Sequence, residues 1–405
     1  MKIGIITADS NGCFPVPASK GGAVSTLIES LVQENSKKGL VKMTIFSYYD
    51  EVAYKNSKKY SNVKFIWIKV PKYIKVLDEL FYKISKNTTK SISYKSIFSL
   101  LYYIRNVTKF LKKNQFDKLI LENNIPIAWI IRLSHYSGQY YYHLHNVPRI
   151  NAKCKKVFDK CAGYLCVSKY VATQIESKNN AIGPIDLKKI KITYNAIDTD
   201  LFKPYSEGHK KKIRQKIKDK YSISSNDKII LFTGRLSKEK GLDVLLDALK
   251  KINVKDYKLL IVGSIMHGAN AKNEYVNLVK HKAQEISPHV LFTGYVAHNK
   301  LANYYNAADI AVLPSIWEEP AGLTMIEALS CGTKVITTNS GGIPEYVKPY
   351  ADILNNGKNL KNELCYAIEK SLNSDDSVDK YTAYSYIKNN FSTHTYLERL
   401  VKQLE

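Results

Sequence analysis

Residues 309–339 read DIAVLPSIWEEPAGLTMIEALSCGTKVITTN. A short apolar run (309–314) leads into a Pro/Gly turn, an amphipathic run opening near Leu323, and a second short apolar run (333–339). Strand, turn, helix and strand in this order form the repeating unit of a parallel sheet. The alternation continues upstream, with apolar runs at 227–235, 257–263 and 290–296. In the first half they fall at 2–7, 41–47, 63–70, 118–122, 140–146, 163–168 and 189–195, with an amphipathic run at 23–38. Such a pattern predicts an α/β fold with helices on both faces of parallel sheets. A polar, Lys-rich stretch at 204–227 interrupts it, so two successive doubly wound sheets fit 405 residues better than one. The expected ligand site is a cleft between two such domains, at the carboxyl ends of the strands.

The composition narrows the class. With 45% hydrophobic residues the chain is ordinary for a globular protein and unlike a disordered one. No stretch approaches the roughly 18 apolar residues of a membrane span; the best, 125–133, is short and contains Arg132. The opening MKIGIITADS lacks a secretory h-region and reads as a first strand, so a cytosolic chain is expected. Cys13, Cys154, Cys161, Cys166, Cys331 and Cys365 are scattered without a C-x-x-C pair, the pattern of reduced thiols and not of a metal site.

Charge is unevenly placed. The 61 Lys+Arg and 36 Asp+Glu leave a net +25, of which residues 1–200 hold +18 and residues 201–405 hold +7. Residues 51–113 carry 15 basic and 3 acidic side chains, interleaved with Tyr73, Leu77, Leu80, Phe81, Tyr82, Tyr94, Phe98, Leu101, Tyr102 and Tyr103. Basic and apolar groups mixed in this way suit an anionic membrane face or a nucleic acid, against the plain alternative of a solvated helix layer.

Two constellations carry chemistry. Glu319 lies in the turn after 309–314, and Glu327 lies one turn inside the following helix among Met325, Ile326, Ala328 and Leu329. Carboxylates at these points suit the hydroxyls of a sugar or ribose, and the helix start suits polar oxygens or an anion. The run 227–235 delivers Arg235, and Lys240 follows five residues later at the start of the next helix. Two cations beside a helix N-terminus can clamp a diphosphate. Neither a Walker A sequence nor a G-x-G-x-x-G after a strand is present, which removes the main support for ATPase and dehydrogenase readings.

Arg235-x4-Lys240-Gly together with Glu319-x7-Glu327 resembles the retaining glycosyltransferases of family 4. The likeness runs through GRLSKEKGLDVLLDAL, IVG, FTGYV, the stretch from LANYYNAAD to GGIPE, and NAIDTDLFKP; residues 48–120 match little. The resemblance implies the GT-B fold, two Rossmann-like doubly wound parallel-sheet domains facing across a cleft. It places an acceptor-binding domain at 1–198, a nucleotide-sugar-binding domain at 199–385, and a C-terminal helix at 386–405 that returns to the first domain. It implies that Arg235 and Lys240 neutralise the diphosphate and that Glu327 takes the ribose. Glu319, with the backbone of Ala321, Gly322, Leu323 and Thr324, would hold the sugar. Tyr295 and Val296 after Gly294 would present backbone to the base, and Gly21 and Gly22 would form the Gly-rich loop after the first strand. His145 of His145-Asn146 would stand near the reacting face of the sugar; this pairing favours it over His143, two residues earlier on the same strand face. The catalytic set is thus His145, Glu319, Arg235 and Lys240, with no covalent nucleophile.

Some positions depart from the family: Asn195-Ala196 stands for Asn-Gly, Ala321 for a Phe, and Gly263-Ser264-Ile265 for Gly-x-Gly. Asp198-Thr199-Asp200 matches the D-x-D metal motif of the other glycosyltransferase fold but lies in the junction signature, so neither metal nor other cofactor is expected. The implied reaction is sugar transfer with retention from a nucleotide-sugar co-substrate, a UDP-sugar by family frequency. The unmatched half and its charge point to a lipid-linked saccharide acceptor in bacterial surface polysaccharide synthesis. Lys72, Lys75, Lys83 and Lys86 would form the acceptor or membrane face on the inner side of the plasma membrane, with no nucleic acid. The rival readings are a soluble acceptor for the same chemistry, or a non-catalytic polyanion-binding scaffold on a transferase core.

Overall fold

Strand propensity and burial act together in the first sheet. The computed structural model describes residues 1–9, 13–88, 95–263, 274–374 and 380–405. The side chains of 86–88 and 380 lie outside the description, as do Tyr94, Ser264 and Ile265; the proposed role of Lys86 falls there too. The strands are β1 (Lys2–Thr7), β2 (Lys42–Tyr48), β3 (Val63–Ile68), β4 (Lys118–Glu122), β5 (Gln139–Leu144), β6 (Gly163–Cys166) and β7 (Ile190–Ile192). They form one sheet in the order β3-β2-β1-β4-β5-β6-β7, with every pairing parallel. Five of the six β1 residues are buried, as expected where both sheet faces are covered by helices.

The second sheet comprises β8 (Lys228–Thr233), β9 (Tyr257–Val262), β10 (Val290–Gly294), β11 (Ile310–Leu313), β12 (Lys334–Thr338) and β13 (Ala351–Leu354), in the order β10-β9-β8-β11-β12-β13. All of its pairings are also parallel. Its core packs Ile230, Phe232, Leu259 and Ile261 against Leu245, Leu246 and Leu249 of the Leu242–Leu249 helix and Leu364 and Ile368 of the Leu360–Asn373 helix. In both sheets the strand order reverses beside the first strand, β1 or β8, and this reversal opens a crevice at the carboxyl ends of the strands.

The chain divides into two compact units, 1–195 with 393–405, and 196–392. The junction thus falls at Asn195/Ala196, ahead of the expected 198/199. The expected terminal segment 386–405 is itself divided: the helix Lys380–Phe391 belongs to the second unit, and Thr393–Leu404 packs on the Ala23–Lys38 helix of the first. The amphipathic face of Thr393–Leu404 explains this, since Tyr396, Leu397, Leu400 and Leu404 are buried on one stripe. Gln403 further ties that helix to β7, donating from Nε2 to the Ile192 carbonyl at 2.6 Å. The Lys-rich stretch between the sheets is a helix, Glu207–Lys220. All six cysteines are free. Among the described residues no helix is long and apolar enough to cross a membrane.

Candidate active site

In the second unit β8 and β11 are neighbours, and their carboxyl ends deliver both charged constellations. Beyond β8, Gly234 at φ +150 is followed by Arg235, whose exposed guanidinium pairs with Glu239 at 3.1 Å. Lys240 ends the short turn Lys238–Lys240, and its Nζ donates to Glu319 Oε1. Glu319 is largely buried, and its Oε2 is buried with no protein partner. A buried carboxylate oxygen in that state is an acceptor built to take a donor. Its main chain is fixed too: the Gly342 N–H donates to the Glu319 carbonyl at 2.7 Å. Gly341, at φ +59, comes so close that a Cβ there would lie 2.4 Å from the same oxygen.

Glu327 sits in the Leu323–Ser330 helix and is 5% exposed. Tyr305 donates its O–H to Glu327 Oε2 at 2.9 Å, and His298 Nε2 meets Oε1 at 2.8 Å. The Tyr305 hydroxyl also lies 2.9 Å from Thr233 Oγ1, at the end of β8. Burial lowers the pKa of His298, but its hydrogen bond to Glu327 and the charges of Glu327 and Asp198 outweigh this and raise it above the ordinary value. Glu327 is therefore held on both oxygens by its own protein, on one side by the buried Tyr305 and on the other by the half-exposed His298. Sequence reading missed both partners.

Other expected donor positions lie in the same unit. Tyr295 is 70% exposed beyond Gly294, itself at φ +72, and Val296 is half-buried. Ala321 and Gly322 form the turn into the helix. The helix's first backbone bond runs from the Met325 N–H to the Gly322 carbonyl, after Leu323 and Thr324. The D-x-D look-alike is a turn: Asp198 Oδ1 accepts from the backbone N–H of Asp200 at 2.9 Å and of Leu201 at 3.1 Å.

In the first unit, Gly21 and Gly22 have φ of +75 and +101, a conformation that favours glycine, and lead into the Ala23–Lys38 helix. At the ends of β4 and β5 the register places Glu122 opposite His143. Glu122 Oε2 lies 3.0 Å from His143 Nδ1 and 3.0 Å from His145 Nε2. The two imidazoles are 4.2 Å apart, and Tyr396 stacks on His143 at 6.3 Å. Both histidines are thus in one cluster, and Glu122 is the member that sequence reading missed. An acid closing an otherwise apolar strand was the signal that could have found it. The three side chains also offer ligand atoms within 4.8 Å of one another, a spacing compatible with a metal ion.

The electrostatics of this cluster are lopsided. Burial alone would raise the Glu122 pKa, yet the charges and hydrogen bonds of His143 and His145 bring it down to about 2. Burial and the neighbouring His143 lower the pKa of His145 to about 4, against the opposing pull of Glu122. Between pH 6.5 and 4 an unfolded chain takes up a proton at this histidine that the folded one refuses. Folding stability should therefore fall as pH drops through that window, and Glu122 should extend the loss from about 4.5 to 2. At about 1.4 kcal/mol per unit, the His145 share is roughly 3 kcal/mol. Thermal unfolding followed from pH 7 to 4 should show it, with a flatter profile for His145→Asn. Equal profiles for the two proteins would refute it.

Of the expected membrane-face residues, Lys72, Lys75 and Lys83 are exposed on the Lys72–Thr88 helix. Tyr73, Val76, Leu77, Leu80, Phe81 and Ile84 of the same helix are exposed as well. The Tyr73, Leu77, Leu80 and Ile84 spacing marks one apolar stripe facing outward. That helix is held to the fold by buried Asp78, which accepts from the backbone N–H of Phe98 at 2.7 Å and of Ser99 at 3.2 Å.

Residues 213–388 match the family model for glycosyl transferases group 1. Spore coat protein SA of Bacillus subtilis is 26% identical over 418 residues, covering 100% of this chain and 99% of its own. The lipopolysaccharide 1,2-N-acetylglucosaminetransferase of Salmonella typhimurium is 29% identical over 145 residues, 35% of this chain and 38% of its own. Among solved structures, Anabaena Alr3699/HepE in complex with UDP and glucose superposes with a TM-score of 0.71 at 17% identity, covering 100% of this chain and 99% of that one. Residues 213–388 are thus similar to the group 1 glycosyl transferases, and the chain has the two-sheet GT-B fold seen in solved glycosyltransferase structures.

Proposed function

We propose that the chain is a retaining, metal-independent hexosyltransferase of family 4. In this reading it moves a sugar from a UDP-sugar to a lipid-linked saccharide in bacterial surface polysaccharide synthesis. The observation that carries the reading is the convergence of Arg235, Lys240, Glu319 and Glu327 at the ends of β8 and β11 and the helix after β11. Arg235 and Lys240 supply two cations for a departing diphosphate, stabilising charge where it develops. A bound diphosphate would exchange Lys240 away from Glu319, and that carboxylate would then be open to sugar hydroxyls. His298 is the exchangeable partner of Glu327, so ribose hydroxyls would displace it while Tyr305 keeps the carboxylate in place. The UDP and glucose bound by the Anabaena protein, and the lipopolysaccharide transferase among the relatives, support the donor and the acceptor class. The test is a panel of nucleotide sugars scored for nucleoside diphosphate release, with product stereochemistry by NMR. Turnover of a UDP-sugar with retained configuration is expected, and no release from any donor would refute the reading.

The membrane-facing part rests on the Lys72–Thr88 helix, which presents apolar side chains and lysines outward together. A surface of that kind binds anionic lipid through apolar burial plus about 1 kcal/mol per lysine near the headgroups. Co-sedimentation with phosphatidylglycerol vesicles at low salt should capture the protein, and phosphatidylcholine vesicles should not. The triple variant Lys72→Glu, Lys75→Glu, Lys83→Glu should bind at least about a hundredfold more weakly. Equal binding by wild type and variant would exclude this face.

A further inference from the structure

The Glu122, His143 and His145 cluster contains a constraint that the proposed function has not used. One carboxylate oxygen, Oε2, stands 3.0 Å from a nitrogen of each ring, and Oε1 stands 3.3 Å from His143 Nδ1. All three side chains are at least nine-tenths buried. An ionised carboxylate only accepts hydrogen bonds, so each nitrogen facing it must carry a hydrogen. The two rings face it through different nitrogens, His143 through Nδ1 and His145 through Nε2.

We propose that Glu122 is a positioning residue that fixes opposite tautomers on the two histidines, Nδ1–H on His143 and Nε2–H on His145. His145 Nδ1 is thereby left as a bare acceptor for a hydroxyl of the bound sugar substrate. The substrate-facing half rests on the reading of His145 given above. The backbone supports the arrangement. Asn123, at φ +50, donates its N–H to the His143 carbonyl at 2.8 Å, and its side-chain Oδ1 accepts from the His145 N–H at 3.0 Å. The turn after β4 therefore holds the main chain at the end of β5 while the preceding residue holds the rings. Moving the His145 proton from Nε2 to Nδ1 would turn a lone pair toward the carboxylate and lose that hydrogen bond. The low pKa of Glu122 accords with an ionised acceptor. His143 Nε2, buried and without a protein partner, is the consequence: its lone pair is what remains once Nδ1 carries the hydrogen.

The experiment uses the full chain with ¹⁵N-labelled histidine, read by long-range ¹H–¹⁵N correlation at pH 7. Signals are assigned by their loss in His143→Asn and His145→Asn. The expected spectrum shows His145 protonated at Nε2 and His143 at Nδ1. Glu122→Leu removes both acceptor oxygens, so neither ring proton is held in place and the two tautomers should redistribute. In that variant kcat should fall about 10- to 100-fold, with the donor KM changed less than about threefold. His145 protonated at Nδ1 in the wild type would overturn the proposal. So would loss of both facing protons on stoichiometric Zn²⁺ addition, which would make the cluster a metal site. An unchanged kcat in Glu122→Leu would overturn the positioning role alone, and unchanged tautomers in that variant would show that Glu122 does not fix them. No donor turnover by the wild type would overturn the transferase reading and the substrate-facing half together, while the spectrum would still decide the tautomers.

Discussion

Lys240→Ala should lower kcat/KM for nucleotide-sugar turnover by about a thousandfold or more. One preorganised donor aimed at developing charge is worth roughly 10²- to 10³-fold, and a second effect adds to it here. Lys240 is the cation paired with Glu319, and the other oxygen of that carboxylate is already buried without a partner. Removing the ammonium leaves a largely buried negative charge facing the position assigned to a diphosphate, so repulsion replaces attraction. Lys240→Arg keeps the charge but changes the geometry of the donor, and its activity should lie between the two. Steady-state rates with the preferred donor decide the matter. A loss below about tenfold for Lys240→Ala would remove this residue from the diphosphate site.

Gly241→Ala should destabilise the second unit by about 2–5 kcal/mol. Gly241 has φ +67, where a non-glycine residue costs about 1–2 kcal/mol. A Cβ there would lie 2.1 Å from the Pro314 carbonyl oxygen, main chain that cannot swing aside as a side-chain end would. Relieving such overlap costs a further 1–3 kcal/mol or so. The same contact joins the turn after β8 to the end of β11, where the Ile316 N–H donates to the Glu239 carbonyl at 2.9 Å. Easing the clash therefore also displaces Lys240 from Glu319. Gly208→Ala is the control: it lies early in a helix with no atom within 4 Å of its would-be Cβ, and alanine there should be neutral or stabilising by up to about 1 kcal/mol. Urea unfolding of the three proteins tests both statements, and equal midpoints for the two variants would contradict them.

What could be read from the chain depended on range. Apolar runs marked β1 and β4 to the residue, because a strand covered on both faces must be apolar throughout. β13 escaped notice, since Ala351–Leu354 lies at the sheet edge, only partly buried, and has no apolar run to mark it. The Glu207–Lys220 helix also escaped, because only Ile217 and Lys218 of its residues are buried. Arg235, Lys240 and Glu319 were legible as candidates because they lie in the turns that follow β8 and β11, and Glu327 because it is an acid among apolar residues of the next helix. Glu122 with His143, and Tyr305 and His298 with Glu327, were not. Those partners are 21 to 29 residues apart, and which side chains meet is set by the register and packing of elements that no local pattern specifies.

Asp78 gives the Lys72–Thr88 helix a mechanical character. Its carboxylate caps the Ile97–Leu111 helix through two backbone N–H groups and the Ser99 hydroxyl, at 2.5 Å. The capped helix is in turn bolted to the sheet by Tyr103, whose O–H donates to the Phe46 carbonyl of β2 at 2.8 Å. Lifting the outer helix would strand three donors and a buried charge at once. The lysine-bearing helix is therefore a keel and not a tether: a load placed on it passes through Asp78 to the Ile97–Leu111 helix and through Tyr103 into β2.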